Sequence, residues 1–322
     1  ATKIDWGSYE PPKPSFLGTK VFDNYDLAEL AERIDWKPFF QAWELHGRFP
    51  EILDDPKVGE TARSLYDDGR RMLDRMISEG WVRARAVVGF WPAAADKDDI
   101  VLFSDDSRAE RQGVLHTLRQ QRIHSRADRA NLALSDFIAP LETGLADYIG
   151  GFVVTAGEEF DARAKLLEAE HEDYDAILMK VIGDRLAEAF AERMHERVRT
   201  EFWGYAPGEA LSNEQLISED YRGIRPAPGY PACPDHTEKP ELFRLLDAET
   251  ATGVSLTESN AMWPASSVSG FYFSHPESRY FGLGRIGRDQ VADYAARKGA
   301  TVEEVERWLA SNLDYDPKAA AA

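Results

Sequence analysis

Apolar residues recur every three to four positions at Val58, Ala62, Leu65, Gly69, Met72 and Met76, with Arg and Asp opposite them. This period predicts a helix packed by one stripe. A longer ridge, Leu178, Ile182, Leu186, Phe190, Met194 and Val198, advances in steps of four and predicts one or two long helices between residues 161 and 203. Glu188 lies about 200° round the helix from Leu186 and points away from that ridge. Residues 26–40 also carry helical spacing, but Pro38 divides them and leaves Asp35 at a break between two short helices.

From Trp81 to Val88 the period falls to two, and Asp98 to Phe103 follows a polar loop. Together these predict an antiparallel hairpin with one solvated face. Further strands are expected at 132–138, 148–155, 256–273 and 279–283; in the second, Gly150 and Gly151 mark a bulge or a close backbone approach. Strands on both sides of the long helices predict one interleaved α+β body rather than two domains. Residues 1–24, with Pro11, Pro12 and Pro14 among Tyr9, Phe16 and Phe22, read as an extended arm lying on a body spanning 25–316. Residues 317–322 read as a tail that an expression vector could supply. Ser212 to Gln215 and Thr301 to Glu304 have capping-box spacing at helix starts.

Length and charge narrow the partners. A chain of 322 residues can bury a self-sufficient core. Its 57 acidic against 38 basic side chains repel phosphate backbones and anionic lipid, which argues against nucleic acid and membrane. Cys233 is the only cysteine, so neither an internal disulfide nor a Cys-rich zinc site can form. No basic head with an apolar segment opens the sequence, and no run reaches the ~18 apolar residues of a membrane span. A cytoplasmic location is expected.

Ready-made catalytic motifs do not fit. Gly282-Leu-Gly-Arg-Ile-Gly287 matches the dinucleotide fingerprint literally, yet Gly299 ends the following helix and another begins at Thr301, leaving no second parallel strand. His171 and His195 each precede a glutamate but lack the second histidine of a zinc protease, and both are expected on solvated helix faces. The segment Tyr221 to His236 stands out, because it packs four prolines, two glycines, two arginines and a histidine into sixteen residues. Prolines reduce the entropy lost on ordering, and an arginine on a stiff loop presents a planar fork suited to a carboxylate. The loop is either a preorganised small-molecule site or a proline-rich crossover whose arginines pair with nearby acids.

Arg225-Pro-Ala-Pro-Gly-Tyr-Pro-Ala-Cys-Pro-Asp-His-Thr-Glu238 closely resembles the S-adenosylmethionine-binding loop of the activation domain of cobalamin-dependent methionine synthases. Ile34 to Phe40, Leu115 to Gln121, Ala146 to Gly150, Asp184 to Glu192, Thr257 to Pro264 and Phe271 to Pro276 resemble that domain in the same order, so the likeness spans roughly residues 4–315. It implies a C-shaped α+β domain with a twisted antiparallel sheet and flanking helices. It also implies an S-adenosylmethionine site that serves the reductive methylation of inactive cob(II)alamin, with the electron coming from flavodoxin or a related flavoprotein.

By that resemblance Arg225 would grip the donor's carboxylate, Asp35 its ammonium, and Tyr280 with Phe281 would line the adenosyl end. Glu188 and Glu219 would lie near its polar groups and sulfonium, and the backbone of Ala227 and Gly229 would run along it. Tyr230, Asp184 and His236 would face the cobalamin-binding module. Arg119, Arg122, Arg126 and Arg129 form either a docking patch for the reductant or a solvated basic face. Phe160 stands where an acid is expected, which alters the expected contact with that module. The chain lacks the Asp-x-His-x-x-Gly signature of cobalamin's lower ligand, so cobalamin is expected only on a partner module, in the same chain or a separate one. The competing expectation is a standalone S-adenosylmethionine-binding regulator with no catalytic partner.

Overall fold

The computed structural model describes residues 4–123 and 130–320. Eight strands form among these residues: β1 Gly18–Asp23, β2 Arg85–Asp96, β3 Asp99–Phe103, β4 Arg111–His116, β5 Asp147–Thr155, β6 Ser255–Leu256, β7 Met262–Trp263 and β8 Ser267–Tyr272. The main sheet is antiparallel throughout, in the order β4-β3-β2-β5-β8, with β1 also on β2. Part of the N-terminal segment is therefore a strand of the sheet. The tight turn between Asp96 and Asp99 sets the β2–β3 register.

The helices are α1 Leu27–Ala31, α2 Lys37–Gln41, α3 Gly59–Glu79, α4 Glu159–Ala169, α5 Asp173–Arg197, α6 Asn213–Ile217, α7 Lys239–Leu246, α8 Ala248–Thr252, α9 Arg288–Lys298 and α10 Val302–Trp308. The α3 and α5 ridges pack on one face of the sheet against Val88, Phe90, Phe152 and Val154. Helices α7 and α8 cover the other face through Leu242, Leu246 and Ala248 against Val87, Trp91 and Val153. This two-sided burial explains why the expected solvated face of the hairpin does not exist: every residue of β2 from Ala86 to Ala95 is buried. The expected α+β class is observed.

Gly150 and Gly151 make no bulge; they pair in unbroken register with β2 and β8. They permit close approach, since a Cβ on Gly151 would lie 2.6 Å from Leu242 Cδ1. Two expected strands are corrected. Residues 134–137 form a single 3-10 turn, with Asp136 accepting from the Ala133 amide. Residues 279–283 run as a loop: Gln120 and Arg122 both donate to the Gly282 carbonyl, and Leu283 N donates to the Pro231 carbonyl. Between residues 255 and 273 the expected strands form as β6, β7 and β8, with Pro264 separating β7 from β8.

Candidate functional site

After the Ile224–Phe273 bridge, the proline-rich loop lies along the free edge of β8, with Phe271 N donating to the Pro226 carbonyl at 2.8 Å. Residues 224–227 therefore act as a further edge without being a regular strand, as the prolines require. The loop then turns back on itself: Gly229 N donates to Cys233 O at 2.7 Å and Cys233 N to Tyr230 O at 2.9 Å. Gly229 holds φ +94°, which favours glycine, and a Cβ there would overlap the His236 ring. This turn leaves Tyr230 57% exposed while Cys233 is buried, its thiol pushed up by that burial.

Between the loop, β8 and α5 lies a cavity of about 490 Å3, within the roughly 300–1,000 Å3 common for small-molecule sites. Phe152, Val268, Pro226, Ala227 and Phe281 give it apolar walls, and Arg225, Glu188, Glu219 and Tyr280 give it polar groups. Burial raises the Glu188 carboxyl against the pull of Arg185, and raises Glu219 against the pull of Arg225. Glu219 itself holds φ +59° just after α6, a strained position for a non-glycine residue. Tyr280 is tied to the loop, because its hydroxyl accepts from Arg225 N at 3.0 Å and lies 3.1 Å from the Tyr221 hydroxyl.

Arg225 is the most elaborately held group. Its Nη2 donates to Glu192 Oε2 at 2.7 Å, and its Nη1 donates to Tyr221 Oη and His195 Nδ1, each at 3.0 Å. Three of the five donors of a guanidinium are thus engaged among the described residues, leaving the Nε–H and one Nη2–H. Burial works against the charge, but Glu192 more than offsets it and the guanidinium stays cationic. Beneath it, fully buried Arg199 pairs with Glu209 at 2.7 Å and sits 4.3 Å from the centre of the Tyr221 ring.

Seven of the expected site residues, Glu188, Glu219, Arg225, Ala227, Tyr230, Tyr280 and Phe281, come together in this wall. Gly229 and His236 line a neighbouring groove of about 380 Å3 with Gly282, Leu283 and Trp308, and Tyr230 stands between the two spaces. Burial and Lys239 lower His236, whose Nδ1 lies 2.9 Å from Lys239 Nζ. Asp184 accepts from Ser266 Oγ at 3.1 Å. Asp35 is not in the cavity wall; its carboxylate accepts from Lys37 N at 2.9 Å. The adjacent Ile34 carbonyl accepts from Asn213 at the start of α6, the helix that precedes Glu219.

Other expectations change. His195 is completely buried rather than solvated, because α5 turns it into the sheet face against Tyr272 and Tyr221. Arg119 is not free for docking: Asp98 and Asp136 grip it at 2.6 and 2.8 Å. Arg126 and Arg129 lie outside the described residues. Glu192, His195 and Arg199 join the site although the sequence reading does not place them there, and with them comes Tyr221, the first residue of the proline-rich segment. For the three on the helical segment the signal is spacing: Glu192, His195 and Arg199 follow Glu188 at steps of three to four along α5 and the turn after it. Among the described residues no helix is long and apolar enough to cross a membrane, and no cluster of three or more His, Cys, Asp or Glu is placed to hold a metal ion.

The chain is an antiparallel α+β domain with a charged, apolar-walled cavity against its last strand. Residues 26–299 match the family described as the activation domain of vitamin B12-dependent methionine synthase, and the chain belongs to that family. It is also similar to the crystal structure of the MetH reactivation domain bound to AdoHcy, with 53% identity and a TM-score of 0.95 over 98% of this chain and 96% of that one.

Proposed function

We propose that this chain binds S-adenosylmethionine in the cavity under the Arg225 loop and presents its methyl group for the reductive methylation of cob(II)alamin held on a separate module. The electron comes from a flavodoxin-type protein. The observation that carries this reading is the pair of donors left unengaged among the described residues on a fixed guanidinium, in a cavity that sets apolar and aromatic walls beside two carboxylates, Glu188 and Glu219. A zwitterionic amino-acid tail joined to a flat heterocycle matches that division. The AdoHcy bound in the related reactivation domain has the same tail and the same adenosyl group.

S-adenosylmethionine supplies an electrophilic methyl on a cationic sulfur. The chain's own residues then position and balance charge rather than move protons. Arg225 holds the carboxylate. Asp35 takes the ammonium, reached through the α6 connection. Glu188 and Glu219 offset the sulfonium, and Tyr280 with Phe281 flanks the adenosyl group while Ala227 and Gly229 supply backbone along it. Tyr230, Asp184 and His236 face the cobalamin-binding module, because Tyr230 and His236 line the adjoining groove and Asp184 lies one helical turn before Glu188.

Calorimetric titration with S-adenosylmethionine, S-adenosylhomocysteine and ATP tests the reading. Saturable one-site binding of the first two, with none of ATP, is expected; a folded chain that binds neither rejects it.

A further inference from the structure

We propose that His195 is a positioning residue of this site: its neutral ring fixes the Arg225 guanidinium so that the remaining Nε–H and Nη2–H are turned toward the donor's carboxylate. The inference rests on the reading of the cavity as an S-adenosylmethionine site.

A guanidinium nitrogen can only donate, so at 3.0 Å from Arg225 Nη1 the His195 Nδ1 must present its lone pair, and the ring proton sits on Nε2. That Nε2 is buried with no hydrogen-bond partner among the described residues, so no donor there opposes this tautomer. The ring cannot turn away, because it stacks on Tyr272 with centroids 5.4 Å apart and meets the Tyr221 ring edge-on at 4.8 Å. The charged groups facing it are Arg225 from the loop and Arg199 from the turn after α5, and Glu192 pairs with both arginines. Burial and the two arginines hold it neutral.

Charge explains why a histidine suits this place. Glu192 and Glu209 already pair with Arg225 and Arg199, and Glu188 and Glu219 feel the Arg225 charge as well, so a further carboxylate bonded to Arg225 would weaken its attraction for a ligand's own carboxylate. A neutral acceptor orients the fork without adding negative charge. A protonated imidazole would present a donor to a donor, so neutrality is part of the role.

The test uses the full chain and two ligands, S-adenosylhomocysteine and 5′-methylthioadenosine, the second lacking both carboxylate and ammonium. His195→Leu should weaken S-adenosylhomocysteine about tenfold or more and leave 5′-methylthioadenosine within about twofold. His195→Asn, whose side-chain oxygen can replace Nδ1 as acceptor, should recover most of the loss, and His195→Gln, with its acceptor one bond further out, should not. If the leucine variant fails to fold, the asparagine and glutamine pair decides the question by the same selectivity between ligands. Equal losses for both ligands, or unchanged S-adenosylhomocysteine affinity, overturn the positioning role while leaving the site's identity intact. A wild-type chain that binds 5′-methylthioadenosine and S-adenosylhomocysteine equally well also overturns it. A wild-type chain that binds neither overturns the reading of the site and the inference with it.

Discussion

Arg225 Nη2 and Glu192 Oε2 lie 2.7 Å apart with side chains only 21% and 11% exposed. The second Glu192 oxygen is buried without a hydrogen-bond partner among the described residues. Removing the arginine therefore leaves a desolvated carboxylate with only Arg199, 4.0 Å from that second oxygen, to offset it, and empties the ligand's anchor as well. Arg225→Ala should destabilise the chain by about 3 kcal/mol, the cost typical of breaking a buried pair, and should weaken S-adenosylmethionine binding. Arg225→Lys keeps a charge for Glu192 but loses the fork. It should cost less than about 1 kcal/mol of stability while still lowering affinity roughly tenfold. Denaturant unfolding and calorimetry on the two variants separate these effects, and equal binding by wild type and lysine variant would show that fork geometry is irrelevant.

Asp35 has a structural task that can be held constant while its proposed role is removed. Its carboxylate accepts from Lys37 N, closing the turn between α1 and α2. Asp35→Asn keeps that acceptor and deletes the charge, so stability should stay within about 0.5 kcal/mol whereas Asp35→Ala should lose about 1 kcal/mol. If Asp35 meets the donor's ammonium, the asparagine variant should bind S-adenosylhomocysteine several-fold more weakly and 5′-methylthioadenosine as the wild type does. Identical affinities for wild type and Asn variant would remove Asp35 from the site.

What is legible in the sequence follows the range of the interactions involved. The α3 stripe and the α5 ridge are legible because a helix writes its buried face into its own residues at a fixed period. The Arg225 loop is legible because four prolines bar it from regular structure, and Gly229 is needed for its turn. His195 is misplaced by sequence reasoning because what buries it, Arg225, Tyr221 and Tyr272, lies 26 to 77 residues further along the chain. The edge strand β4 leaves no sign, since Arg111, Gln112 and Gly113 carry no strand pattern and its outer end is exposed. Residues 279–283 alternate like a strand, yet the Gly282 carbonyl accepts from the Gln120 and Arg122 side chains and Leu283 N donates to the Pro231 carbonyl of the proline-rich loop, so no ladder forms along them. Local periodicity reports which face is buried; it cannot report which distant side chain completes a polar cluster.

Gly229 joins the backbone of the loop to the groove beside it. Its φ of +94° disfavours any side chain, and a Cβ would overlap the His236 ring. Gly229→Ala should therefore lose about 1–3 kcal/mol of stability and displace Tyr230 and His236 together. Adding His236→Ala relieves the overlap but not the backbone strain, so the double variant should recover only part of the loss. Full recovery of thermal stability would assign the whole effect to the His236 contact; no recovery would assign it to the backbone.

Asp147 makes a pH dependence expected far from the cavity. It opens β5 at 3% exposure, and its two oxygens accept from Ala139 N and Tyr148 N at 2.8 Å each. Burial outweighs those bonds and pushes its carboxyl up to about 6. A carboxyl raised on folding favours the folded state most when protonated, below its unfolded value near 3.9, and that advantage is lost as pH rises through about 6. At roughly 1.4 kcal/mol per pH unit between those two values, the ionised form should cost about 3 kcal/mol above pH 6. Asp147→Asn cannot ionise, so wild type should lose about 2 kcal/mol relative to the variant between pH 4 and pH 7. The amide also turns an NH2 group toward one of the two backbone donors, which changes the variant's stability by a constant amount and leaves the slope unaltered. Urea unfolding of both proteins across that range measures the slope, and parallel stability curves would show that Asp147 is ionised at no cost in the folded chain.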